Sequence, residues 1–191
     1  LYEYGHGVDQ DFSAALHWFG LAAADDDPIA EYSIAMMYEY GLGVPRSYDS
    51  AMSWLQKAAA TRRYPAAQYG IGTLYEAGFG VQRDYAEALH WYKVAAANDY
   101  PAAENSLGQM YQEGRGVSQD YSMALEWYRR AAAHQYPYAE ENLAQLYAAG
   151  LGVPRNYAIA LHWLELAAAH GDERAKPAIE RLKGLMRNSA P

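Results

Sequence analysis

The chain has 191 residues, is 51% hydrophobic and carries a formal charge of -8. That composition supports a packed core rather than a disordered chain. No apolar run approaches the roughly 20 residues of a membrane helix, no Lys/Arg stripe offers the phosphate neutralisation on which nucleic-acid binding rests, and without cysteine there is no disulfide framework or thiolate metal site.

A short motif, Gly-x-Gly-Val, recurs at Gly5, Gly41, Gly78, Gly114 and Gly150, in steps of 36, 37, 36 and 36 residues. Trp18, Trp54, Trp91, Trp127 and Trp163, all the tryptophans present, keep the same steps, as do Tyr2, Tyr38, Tyr75, Tyr111 and Tyr147. A period of that length marks a repeat architecture. The extra residue of the 37-residue step lies in Thr61-Arg62-Arg63-Tyr64.

In chain order, Leu1–Tyr4 matches only the last turn of a first-type helix. The chain starts at Leu1, so it reads as a mature or trimmed piece. The sequence then predicts a second-type helix over 11–24 that lacks most of its hairpin partner, with Leu16 and Phe19 partly uncovered. That uncovered end would fray or pack on another copy, and the natural protein would continue upstream. First-type helices follow over 28–40, 65–77, 101–113 and 137–149, and second-type helices over 47–60, 84–97, 120–134 and 156–170.

One unit, 101–136, shows why. Pro101 suits a first helical turn, where its missing N–H costs nothing. Ala103, Leu107, Met110 and Tyr111 share one helical face. Gly114 can take the left-handed conformation that closes a helix, Gly116 lets the chain bend again, and Val117 plugs the core. Asp11, Ser47, Asp84, Asp120 and Asn156 stand at N-cap positions. Asp84 with Glu87 three residues on has the pattern of a capping box. Alanines at 15, 51, 88, 124 and 160 allow close helix approach. Each unit is a helix–turn–helix that buries its apolar faces only by stacking. Glu173 to Met186 closes the array, with Ile179, Leu182 and Leu185 on one face and Lys183 where the consensus tyrosine stood.

This placement removes a phosphate loop. A nucleotide-binding Gly-x-Gly follows a strand and opens a helix, whereas these follow helices. His17, His90 and His162 alternate with Ser53 and Glu126 at the position before the tryptophan. Their units lie roughly 20 Å apart at ~10 Å per stacked helix layer, so they cannot share a metal held at ~2 Å. They read as an outward row. His134 and His170 fall in turns after the alanine triplets. No catalytic set and no cofactor or metal site emerges.

The run A-E-N-S-L-G-Q-M-Y-Q-E-G-R-G-V-S-Q-D-Y-S-M-A-L-E-W-Y-R-R-A-A-A resembles the Sel-one-like repeat (SLR), a branch of the tetratricopeptide superfamily. The resemblance covers essentially the whole chain. It implies a single all-α, right-handed superhelical α-solenoid of antiparallel helix hairpins over 1–191. The divisions are a partial repeat at 1–27, complete repeats at 28–64, 65–100, 101–136 and 137–172, and a closing helix at 173–187. It also implies a non-catalytic protein–protein interaction scaffold of bacterial type, an adaptor in signalling, envelope biogenesis or host interaction. The compartment would be the cell envelope, the periplasm or the cytoplasm. A cysteine-rich subgroup is linked to β-lactam binding, and this chain, lacking cysteine, departs from it. Binding of a small molecule or cell-wall fragment is the alternative reading, and a pocket holding two carboxylates would favour it.

In related solenoids the first helix of each pair lines the concave face. Carried over by spacing from the consensus tyrosine, the inward positions are Tyr32, Met36, Glu39 and Tyr40, then Tyr69, Thr73 and Glu76. They continue as Asn105, Gln109, Gln112 and Glu113, and end with Glu141, Gln145 and Ala148. The row is amide-rich and somewhat acidic, with no lysine or arginine and with two tyrosines stacked at one end. Amides suit a peptide backbone, and tyrosine gives contact area at low entropic cost.

Overall fold

The computed structural model describes residues 10–60 and 64–188, and every element among them is helical. The expectations for residues 1–4 lie outside the described residues, and so does the step at 61–63. In chain order the helices are α1 (Phe12–Ala23), α2 (Pro28–Tyr40), α3 (Tyr48–Ala60), α4 (Pro65–Ala77) and α5 (Tyr85–Ala96). Then come α6 (Pro101–Glu113), α7 (Tyr121–Ala133), α8 (Pro137–Ala149), α9 (Tyr157–Ala169) and α10 (Ala175–Asn188). The first-type helices occupy the predicted spans. The second-type helices begin one residue later than expected, because that residue is the cap, and all but α3 also end one residue earlier. The closing helix starts two residues later than expected and runs two further.

Packing divides the chain into two compact units, Leu1–Asn98 and Asp99–Pro191. In the first, α1 packs on α2, α2 on α3, α3 on α4 and α4 on α5. In the second, α6 packs on α7, α7 on α8, α8 on α9 and α9 on α10. Each core is built from the periodic positions. Ala35, Leu55, Ala58, Ala67, Ile71 and Leu74 form one cluster of the first unit, with Val81 packed against it. Leu16 and Phe19 are half-buried against Ala23, Ala30 and Ile34. Tyr128, Leu143, Leu146, Leu164, Ile179 and Leu182 belong to the core of the second, with Val153 against it.

All five predicted caps form. Asp11 accepts from the Ala14 N–H at 3.0 Å, Ser47 from Ser50 at 3.2 Å and Asn156 from Ile159 at 3.0 Å. Asp84 accepts from Ala86 and Glu87, and Asp120 from Ser122 and Met123. The capping box at Asp84 is half made. Glu87 donates its backbone N–H to Asp84, but the N–H of Asp84 goes to the carbonyl of Tyr75 at 3.0 Å. The same bond recurs from Ser47 to Tyr38, from Asp120 to Tyr111 and from Asn156 to Tyr147. The consensus tyrosine therefore ties its helix to the next cap through its backbone carbonyl.

The two glycines of the motif have different tasks. Gly78 ends α4 in the left-handed region at φ 75°, its N–H bonded to Leu74. Gly80, at φ 68°, presses on the start of the preceding second-type helix. A Cβ there would stand 2.6 Å from Tyr48 Cβ and 3.0 Å from its carbonyl carbon. Phe79 between them stacks on the Tyr48 ring at 4.8 Å. Gly80 thus serves both the bend expected from sequence and a close contact between successive repeats.

Candidate functional site

The row assigned to the inner face divides into side chains that the fold consumes and side chains it leaves accessible. In the first unit, Tyr32 and Met36 pack against the core of α3 and α4, and Tyr32 meets Tyr64 edge-on at 5.6 Å. Tyr69 lies on Tyr92 at 5.4 Å, and Thr73 donates back to the Gly70 carbonyl at 2.7 Å. Glu76 accepts the Tyr92 hydroxyl. Glu39 is half-buried, and burial raises its carboxyl above the ordinary value. Tyr40 is exposed, and the neighbouring Glu39 charge raises its phenol.

In the second unit Asn105 is 7% exposed and accepts from Asn142 at 2.9 Å. Gln112 accepts the Tyr128 hydroxyl at 2.9 Å. Burial pushes the Tyr128 phenol well above its usual range. Glu113 pairs with Arg115 at 2.8 Å. Gln109 is half-buried and Gln145 is exposed. The structure brings Glu141, Gln145 and Ala148 together on one cavity of about 360 Å³ against α10. Its apolar part includes Leu164, Leu182 and Leu185, and its polar part adds Arg174 and Arg181.

The ionic arrangement beside this cavity is specific. Arg174 donates to Asp172 at 2.9 Å and to Glu141 at 3.0 Å, and its guanidinium lies 4.7 Å over the Tyr138 ring. Hydrogen bonding to Arg174 lowers Asp172, whereas burial, opposed by Arg174, raises Glu141. The cavity itself is lined by one carboxylate, Glu141. The second, Asp172, is not among the lining residues; its carboxyl is hydrogen-bonded both to Arg174 and to Glu141, so the two carboxyls form one closed cluster with the guanidinium.

Sequence reasoning missed two features. First, Glu31, Gln68, Glu104 and Glu140 occupy one repeat position and are all at most 3% exposed. Gln68 accepts from Asn98 at 3.3 Å. Both oxygens of Glu140 lie within 2.9 Å of His170 Nδ1. Glu104 pairs with Arg130 at 3.0 Å, with His134 at 3.8 Å. The histidines after the alanine triplets are thus partners for buried acids. Asp99, Glu104 and His134 have ligand-type atoms within 4.8 Å of one another. The Arg130 guanidinium already supplies the positive charge there, which marks the group as an ion-paired brace. Recurrence of Glu or Gln at a fixed step was the available signal. Second, Arg181 stands one 36-residue step beyond Gln145 and extends the same row onto α10. The sequence marks the closing helix as a cap, which hides its arginine. The outward histidines are where sequence put them: His17, His90 and His162 are exposed, each against the adjacent tryptophan ring at 5.6–5.8 Å.

Comparison with known proteins agrees with this architecture. The profile described as Sel1 repeat matches residues 1–27, 28–60, 65–100, 101–136 and 137–172. A Sel1 repeat protein from Oxalobacter formigenes is 30% identical, with a TM-score of 0.89 over 100% of this chain and 76% of that one. A protective antigen with an SLR fold, present in uropathogenic Escherichia coli strains, is 38% identical with a TM-score of 0.83. That match covers 93% of this chain, which spans only 38% of the antigen's length. Helicobacter pylori cysteine rich protein B, at 21% identity and a TM-score of 0.53 over 66% of this chain and 96% of that one, shares the fold alone. No curated protein matches. No described helix is long and apolar enough to cross a membrane. Five matched repeats across helix pairs of this geometry lead to one conclusion: the chain belongs to the Sel1 repeat family, whose members generally serve as protein-interaction scaffolds.

Proposed function

We propose that this chain is a non-catalytic scaffold that holds an extended or helical segment of a partner protein along the first-type helices. The observation that supports this reading is a contrast between positions. Those that build the stack repeat from unit to unit, whereas one row on the first-type helices changes identity and keeps partial access. Met36, Thr73, Gln109 and Gln145 occupy one repeat position, and none of the four is buried. Accessible amides at Gln109 and Gln145 suit a peptide backbone, and Met36 suits an adaptable apolar contact. Glu76, Asn105 and Gln112 serve this face indirectly, because one side-chain oxygen of each is already bonded within the fold.

Affinity capture with the intact chain, followed by mass spectrometry, identifies partners. Retention is then compared for Gln109→Arg and Gln145→Arg on the first-type helices and for His90→Ala and Glu126→Arg on the outer row. The expected result is loss of the partner with the first pair only. Loss with the outer pair alone rejects the reading.

A further inference from the structure

In two successive repeats a second-type tyrosine reaches across to a polar side chain near the end of the first-type helix: Tyr92 to Glu76 and Tyr128 to Gln112. One step later both partners are cut short. Leu164 stands at the tyrosine position and Ala148 at the glutamine position. The space that the hydroxyphenyl and the amide would fill is the cavity of about 360 Å³ between α8, α9 and α10. That is at the small end of ligand sites, which run from about 300 Å³ upward. Leu182 and Leu185 complete its apolar wall.

The polar groups at its edge narrow the choice of occupant. Arg174 is committed to Asp172 and Glu141. Arg181 is exposed and has no ion pair among the described residues, so its guanidinium offers a fork that matches a carboxylate. The Gln145 side-chain carbonyl supplies an acceptor for an N–H, the Glu141 carboxyl being already engaged by Arg174, Asp172 and the Gln145 amide. An apolar group, a carboxylate and one amide N–H on adjacent atoms describe the last residue of a polypeptide. It is the one place where an apolar side chain and a backbone carboxylate hang on the same α-carbon. We propose that this cavity receives the C-terminal residue of the partner, its apolar side chain over Leu164 and its carboxylate on Arg181. This rests on the scaffold reading and specifies how one end of the partner is held.

The full chain, with leucine methyls labelled for NMR, is titrated with N-acetyl-L-leucine, N-acetyl-L-leucinamide and L-leucine. N-acetyl-L-leucine should shift the Leu164, Leu182 and Leu185 methyls saturably, and the amide should bind at least about tenfold more weakly, the loss of one charge-assisted contact. Arg181→Gln should erase the difference between acid and amide. Ala148→Gln with Leu164→Tyr installs the pair of the preceding repeat and should abolish binding while leaving the circular-dichroism spectrum unchanged. If that double variant fails to fold, the Arg181→Gln comparison decides alone. The assignment is overturned if the acid does not bind, if acid and amide bind alike, if the refilled cavity still binds, or if free leucine binds more tightly than its acetyl derivative. A partner that survives Arg181→Gln and cavity refilling but is lost with Gln109→Arg rejects this pocket and keeps the scaffold.

Discussion

Gly80 tests how much of the stability is held in the contact between repeats, and Gly41 is its internal control. Both sit in the left-handed region, at φ 68° and 71°. Alanine at either position pays the conformational cost of about 1–2 kcal/mol for an L-residue there. They differ in what the new Cβ meets. At Gly41 its nearest neighbour is 3.4 Å away, an ordinary contact, whereas at Gly80 it meets Tyr48 Cβ at 2.6 Å with the Tyr48 carbonyl carbon at 3.0 Å. Backbone cannot step aside as a flexible side chain can, so overpacking adds a further 1–3 kcal/mol. Gly41→Ala should therefore cost about 1–2 kcal/mol and Gly80→Ala about 2–5 kcal/mol, sums of those two ranges. Urea unfolding followed by tryptophan fluorescence gives the total, provided the slope is unchanged. Hydrogen exchange at the Ser50 and Ala51 amides, the first of α3 to be hydrogen-bonded, locates the loss. Equal costs for the two variants, or exchange unchanged at Ser50 and Ala51, would refute the argument.

Two histidines with the same chemistry should behave oppositely. His90→Ala, on the exposed row, should change stability by no more than about 0.5 kcal/mol, whereas His170→Ala leaves the buried Glu140 without its partner and should cost about 1–3 kcal/mol by denaturant titration. Tyr128→Phe removes the hydroxyl that Gln112 accepts and should cost about 0.5–1.5 kcal/mol in the same assay. Glu104 carries a pH signature. Burial raises its folded carboxyl above the ordinary 4.5, so the native state binds the extra proton between 4.5 and the raised value. Stability from this group is greatest below that window and falls as pH rises through it. Glu104→Gln should flatten that part of the melting-temperature profile, and a difference from wild type that is constant with pH would count against the burial effect.

The hairpins were legible because the local signals agree with the packing. Proline at the first turn, left-handed glycine at the end and an Asp, Ser or Asn cap each fix a boundary by backbone chemistry alone. The inner-face side chains were less legible, because spacing states which way a residue points but not what meets it. Glu76 and Gln112 read as free polar groups until Tyr92 and Tyr128, 16 residues away in sequence, arrive from the next helix. Glu104 and Glu140 recur at a fixed step with Glu31 and Gln68, but the step alone does not say that Arg130, His134 and His170 meet them. The cavity was invisible because it arises from two truncations, Ala148 and Leu164, that are unremarkable singly.

The backbone bond from each consensus tyrosine to the following cap fixes a count. Nine residue steps separate Tyr38 from Ser47, Tyr75 from Asp84, Tyr111 from Asp120 and Tyr147 from Asn156. An inserted or deleted residue inside that loop would move the cap off the carbonyl and turn the next helix out of phase. Letters within it can drift, but its length cannot. Changes of length are therefore directed to the other connection, and the one 37-residue step does fall there, at 61–64. Crossovers placed in that second connection would exchange whole hairpins with their internal lock intact, so new arrays can be assembled by recombination there without re-evolving the turn.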